Sequence, residues 1–473
     1  MGESRYPYLI LSYCWGQTND KAKTTKTKIV ERHKHIAVSM LPKTIRDAIR
    51  LTRAMGYSYL WVDALCIKQS DKGHTGEWEV EAHKVGDYYA NADCLISAAG
   101  YRDSREGFLS EGPVWKYPNR RSLVTHGTSS CGTKYVYVWA KMPEQDFSND
   151  FAATPIKSRG WYFQERVLCP RRLHWTRNGL FWECNTVVTS EQQALRGDYP
   201  FEVLPDSQQT EMGSIYHEAS QSVTIGETWM SLVNDYITMK LTVESDRLAA
   251  IHGIATRLAD LHNDEYCAGI FRSQLARGLA WRIRDCDAIL KGTPSLNFPT
   301  WSWAYPLQYP KRIDSVYATP HLASTSIVEL VSFPKSPSLT DFGGISTREL
   351  IIKAPLLEVI VSFPIVDWLS HTNGPVKVSG QPEGQEKVPP SDGLLCYDRD
   401  MLDLLEQVLP EPITMTVAFL QYTNSSPTLL IGLCLKQLSK GRPRYEREGY
   451  IEFTLDTHRE WIKDISASEI TIV

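Results

Sequence analysis

A chain of 473 residues exceeds one ordinary hydrophobic core and points to two or three domains. Hydrophobic content of 42%, charged content of 22%, 14 Trp and 23 Tyr exclude extensive disorder. A formal charge of −4 leaves no global basic field for nucleic acid, no apolar run reaches the ~18 residues of a membrane span, and MGESRYPYLILSY lacks signal-peptide regions, so the chain reads as cytoplasmic.

Residues 8–13 (YLILSY) form a short apolar run suited to a buried strand, ended by Cys14, Trp15 and Gly16. Leu41-Pro42 then opens a helical pattern that places Ile45, Ala48, Ile49, Thr52 and Met55 on one face, with Gly56 as its stop. Residues 59–67 (YLWVDALCI) read as a second strand with Asp63 in its middle, and 77–92 as a helix through Trp78, Ala82, Val85 and Tyr89. Residues 93–99 (DCLISAA) read as a third strand. Strands alternating with amphipathic helices predict an α/β domain with a mainly parallel sheet, which binds ligands at the carboxyl ends of its strands.

A looser stretch over 100–157 contains KYVYVWA, an edge strand or hairpin arm. A helix over 161–168, a Cys169-Pro170 stop and strands near 172–175 and 180–184 complete a first domain ending near residue 200. Residues 201–297 read as mostly helical, with Ser245 capping a helix that carries Leu248, Ile251, Ile254, Ala255 and Leu258. Residues 298–473 read as a β-rich third part, in which 374–392 is the most linker-like insertion.

The stretch 159–191 concentrates the candidate chemistry. Glu165 follows Trp161 by four residues, one helical turn, so an apolar wall flanks the carboxyl and raises its pKa or lines a pocket. The residues leave a second reading open, in which Glu165 pairs with Arg159, Arg166 or Arg171. Arg159 suits a phosphate or carboxylate fork. Glu183, directly after Trp182, lies in a strand-like run and reads as an arginine partner. Ser12, Tyr13 and Trp15 follow the first strand, where a turn meets phosphate and an aromatic ring stacks on a base, or where Trp15 closes the core. Asp63 orients a ligand hydroxyl or, by the structural reading that is favoured, caps a loop or pairs with a buried arginine. No GxGxxG or Walker pattern follows the first strand. Ten singly scattered cysteines, with no CxxC pair or Cys/His set, read as reduced thiols and imply no metal site. Trp301 and Trp303 read as packing between the helical and β-rich parts.

The blocks LSYCWG, LPKTIRDAIRLTRAMGYSYLWVDALCIKQ, EWEVEAHKVGDYYANADCLISAA and RGWYFQERVLCPRRLHW, in that order, resemble the fungal heterokaryon-incompatibility (HET) domain over about residues 8–191. The resemblance implies an intracellular protein of the self/non-self recognition and regulated cell-death class. HET domains are in turn similar to Toll/interleukin-1 receptor (TIR) domains, which implies a TIR-like, flavodoxin-like sheet. Some TIR domains cleave NAD at the nicotinamide-ribose bond through a glutamate four residues after a tryptophan; Trp161 and Glu165 keep that spacing, while Tyr162 stands where that pattern has cysteine. The implied catalytic residue is Glu165, with Ser12, Tyr13, Trp15, Asp63, Arg159 and Trp161 binding the nucleotide. NAD is then a substrate and no cofactor is tightly bound. Self-association or a protein partner is also implied. Two rival readings stand beside it: a non-catalytic oligomerising module, and a biosynthetic enzyme that reuses the scaffold.

Overall fold

The computed structural model describes residues 6–16, 19–70, 76–109, 121–129, 132–139, 146–185, 187–191, 225–284, 298–305, 315–318, 324–334, 349–362, 373–380, 388–397, 413–424, 428–438, 443–455 and 465–473. The chain divides into two units, Met1–Tyr216 and His217–Val473.

Alternation along the first strand sets the architecture of the N-terminal unit. In β1 (Tyr8–Ser12) successive side chains point to opposite faces of the sheet. Leu9 and Leu11, with Tyr13 beyond, join a core cluster with Ile45 and Ala48 of α1 (Lys43–Ala54). Tyr8 and Ser12 face the other way: the Tyr8 hydroxyl donates to the Tyr88 carbonyl of α2 (Val85–Ala90), and the Ser12 hydroxyl donates to Glu165 of α3 (Gly160–Leu168). Helices thus cover both faces. Strand β2 (Tyr59–Trp61) and strand β3 (Cys94–Ser97) flank β1 in parallel, and β4 (Arg171–Trp175) adds to β3 in parallel. The resulting order β2-β1-β3-β4 places a reversal of winding at β1 and β3, where an open α/β sheet forms its binding crevice. Two antiparallel strands, β5 (Leu180–Cys184) and β6 (Val188–Ser190), extend the far edge.

The expected α1 ends as read: Gly56 has φ +82° just beyond the helix, a backbone that favours glycine. Asp47 of α1 is also buried, and its carboxylate accepts the backbone N–H groups of Phe108 and Leu109 at 2.9 and 3.2 Å. The strand expected over 59–67 stops at Trp61. Asp63 opens a helical turn, Asp63–Cys66, since its carboxylate accepts the Ala64 N–H at 2.6 Å and competes with strand pairing. The helix expected over 77–92 is two short helices, Trp78–Glu81 and α2. The edge strand at KYVYVWA is one arm of an antiparallel hairpin, Arg121–Ser129 with Gly132–Trp139.

In the second unit, α4 (Ile225–Ile237) and α5 (Ala249–His262) match the mostly helical reading of 201–297, while short strands at Tyr266–Cys267, Ile270–Phe271 and Trp281–Arg284 interrupt it; residues 201–224 and 285–297 of that reading lie outside the described residues. Ser245 is not the cap of α5: it lies in a 3₁₀ turn, and Leu248 precedes the helix. The β-rich part contains β7 (Leu350–Ser362), β8 (Asn373–Gly380), β9 (Val388–Tyr397), β10 (Ile413–Thr423), β11 (Thr428–Gln437), β12 (Arg444–Leu455) and β13 (Ala467–Ile472). Antiparallel pairing runs β10-β11-β12-β9-β8-β7 and returns to β10, so six strands close a ring and leave few free edges. Val359, Val417, Phe419, Leu430, Cys434 and Ile451 fill part of its core. The linker-like reading of 374–392 is overturned, because β8 and β9 pair with each other there; their Gly, Pro and Ser content masks strands whose partners are each other. Trp301 and Trp303 are fully buried, with Trp303 donating to the Gly269 carbonyl at 2.9 Å.

Candidate active site

The exit of β1 is a tight loop. Gly16 has φ +69°, and a Cβ there would lie 2.4 Å from Asp103, so only glycine lets the chain turn beneath the loop that follows β3. This turn presents Tyr13, Cys14 and Trp15 in sequence. The Trp15 indole N–H donates to the Asp63 carboxylate at 2.8 Å, and the Tyr13 hydroxyl donates to the same group. Asp63 therefore ties the β1 loop to the turn after β2.

Helix α3 brings the second carboxyl. Glu165 is 8% exposed, accepts from Ser12 and from the Tyr89 hydroxyl of α2, and interacts electrostatically with Arg159 and Asp63. Arg159, the residue before α3, donates to the Tyr13 carbonyl at 2.5 Å. Ser12, Tyr13, Trp15, Asp63, Arg159 and Glu165 are thus joined into one polar network at the carboxyl ends of β1 and β2. Trp161 lies one turn from Glu165 and packs edge-on against Trp78, with centroids 4.7 Å apart. Tyr89 went unread as a site residue; a buried tyrosine on an apolar helix face needs a partner for its hydroxyl, and that need was the available signal.

Charge is scarce here. Burial pushes the Glu165 carboxyl above its ordinary value, and Arg159 with the Ser12 and Tyr89 hydroxyls offsets this only in part. Burial also raises Asp63, against the Ala64 N–H, Trp15 and Arg159. Two carboxyls share one guanidinium, whose own protonation they strengthen. Burial raises the Cys14 thiol too, so it is a poor nucleophile despite Arg159 beside it.

The adjacent face of α3 carries Tyr162 and Arg166, also one turn apart. Arg166 grips Glu183 of β5 with two hydrogen bonds of 3.0 and 2.7 Å. Arg172 lies 3.4 Å from Glu183, and His174 shares a hydrogen bond of 2.7 Å with it. The cations hold Glu183 well below the usual carboxylate range despite its burial. Burial lowers His174, so the imidazole is neutral and its Nε2–H donates to Glu183. Nδ1 then accepts from Tyr162 at 3.2 Å, and Tyr162 in turn accepts from Ser97 at 3.1 Å. Arg172 also caps α3, donating to the carbonyls of Arg166 and Cys169 at 2.9 and 2.7 Å. The arginine role read for Glu183 is met by Arg166. No group of three or more His, Cys, Asp or Glu side chains placed to hold a metal occurs among the described residues.

A mainly parallel α/β unit with a buried acid at the strand exits defines the class, and residues 8–165 match the family of the heterokaryon incompatibility protein (HET). Residues 8–165 therefore form a heterokaryon-incompatibility (HET) domain within this chain. The match begins at the first residue of β1 and ends on Glu165. No curated protein and no solved structure matches the chain. No helix among the described residues is long and apolar enough to cross a membrane.

Proposed function

We propose that the HET domain is a TIR-like module that hydrolyses NAD at the nicotinamide-ribose bond, with Glu165 as the catalytic carboxylate and the second unit regulating it or its assembly. The reading rests above all on one observation: a buried glutamate, one turn after a tryptophan, tied to the exit of β1 at the reversal point of the sheet. In this mechanism the bond from C1′ to the nicotinamide nitrogen breaks with its electron pair leaving on nicotinamide. The ionised Glu165 stabilises the oxocarbenium-like ribose, and water adds at C1′, releasing a proton and ADP-ribose. An ionised carboxylate offers about four acceptor positions. Ser12 and Tyr89 use two, which leaves acceptors for ribose hydroxyls. Trp15 stacks on a base, and Arg159 engages a phosphate.

The test is nicotinamide release from NAD by the full chain at concentrations that drive self-association. Wild type is expected to turn over, and a folded Glu165→Gln variant to lose about 100-fold or more. Full activity in that variant, or no release from assembled protein, overturns the reading. A second reading, signalling by self-association without turnover, is favoured by Tyr6 and Tyr59, 61% and 49% exposed and packed ring to ring at 5.2 Å beside edge strand β2. A Tyr59→Lys variant that stays monomeric where wild type assembles supports it.

A further inference from the structure

Immediately after the β1 loop comes a segment that the site does not use. Residues 19–35 hold six Lys or Arg side chains against Asp20 and Glu31, in a chain whose formal net charge is −4. The segment folds back on itself. Arg32, in the short helix Ile29–Lys34, donates to the carbonyls of Ala22 and Lys21 at 2.6 and 2.7 Å, and the Lys28 ammonium donates to the Asp20 carbonyl at 3.3 Å. Lys21, Lys28 and Arg32 therefore share one patch, and are not strung along an extended chain. Asp20 is engaged by Lys23 at 2.7 Å. Lys21, Lys26 and Lys34 are exposed, and no acidic side chain among the described residues pairs with them.

The same segment also carries apolar side chains exposed to water. Val30 and Met40, 67% and 64% exposed, are the two most exposed large hydrophobic side chains among the described residues. Val30 lies one helical turn from Lys34, so an apolar tip and an ammonium share a face. Unneutralised cations beside protruding aliphatic side chains match an anionic lipid surface, where lysines meet headgroups and aliphatic tips enter the acyl boundary. Single-stranded nucleic acid matches less well, because residues 17–40 contain no Trp, Tyr or Phe, and the smaller rings of His33 and His35 are the only ones on which a base could stack. A free nucleotide or phosphate would make no use of Val30 and Met40.

We propose that residues 19–40 form a docking face for anionic lipid headgroups, a peripheral contact that inserts no spanning segment. This is independent of whether Glu165 turns over NAD. The face is also connected to the candidate site, since the Lys23 ammonium lies 5.8 Å from the Trp15 ring centroid.

The experiment is co-sedimentation of the full chain with phosphatidylcholine vesicles, with and without phosphatidylserine, at low and raised salt. Binding is expected only to the anionic vesicles and is expected to weaken with salt. Each basic side chain near such a surface contributes about fivefold in partitioning, so the triple variant Lys21→Glu, Lys26→Glu, Lys34→Glu should bind about 100-fold less or weaker still. Val30→Ser should bind several-fold less, and thermal unfolding of both variants should match wild type because all four positions are exposed. The proposal is overturned by equal binding to neutral vesicles, by no binding to either, or by an unchanged triple variant. It is also overturned if Val30→Ser has no effect while the triple variant also loses a single-stranded RNA probe that wild type binds more tightly than vesicles.

Discussion

Glu165, on α3, and Glu183, on β5 and bonded to α3 through Arg166, are both buried, at 8% and 2% exposure. Their surroundings differ in charge count. Glu183 faces two guanidiniums and an imidazole, and it stays ionised far into acid. Glu165 shares one guanidinium with Asp63, and burial prevails over it. Desolvation disfavours the charged form of any buried carboxyl, so the surplus of nearby cations decides which group is an anchor and which is poised to change state. Tyr162 and Arg166 fasten α3 to the sheet through the first kind; Trp161 and Glu165 present the second.

The comparison is open to direct attack. Its largest expected consequence is that Glu183→Ala leaves Arg166 and Arg172 uncompensated and lowers the unfolding free energy of the N-terminal unit by about 3–5 kcal/mol in urea melts. A loss below about 1 kcal/mol would show that Glu183 is no anchor. Glu165→Gln, in contrast, should leave stability nearly unchanged at neutral pH. A raised carboxyl contributes stability at low pH that is lost as pH rises through its folded value, so replacing it removes a slope and leaves the anchor intact.

Acid sharpens the contrast further. The lowered His174 binds its proton first in the unfolded chain, so stability falls as pH drops below about 6.5, the ordinary histidine value. Glu183, also lowered, adds stability that is present above about 4.5 and is lost as pH falls toward its folded value. Glu165 works in the opposite direction over the same range. Unfolding measured from pH 7 to pH 4 should show net loss, and His174→Asn should flatten the upper part of it. The smallest effect is expected for Tyr162→Phe, which keeps the ring and removes the hydroxyl between Ser97 and His174, at about 1 kcal/mol by thermal melts.

Much of the N-terminal frame was legible because its signals are local. Apolar runs at 8–13 and 93–99 became β1 and β3, and the 3.6-residue period with Pro42 and Gly56 marked α1 within a residue or two. The one-turn spacing of Trp161 and Glu165 was legible for the same reason. Asp63 was misplaced in a strand because a hydrophobic run does not reveal that one carboxylate will take a neighbouring N–H and start a turn. Residues 374–392 were misread because β8 and β9 draw stability from each other, which composition does not show.

The sequence by itself determined the alternation of strands and helices, the family blocks, and the candidate acid, since these depend on neighbours within a turn or a strand. Only the tertiary structure decided what that acid meets. Ser12 and Glu165 are 153 positions apart, and Tyr89 and Arg159 reach the same carboxyl from other elements. A buried group's charge depends on every dipole and ion around it in space, and folding brings those together from segments whose local patterns carry no trace of one another.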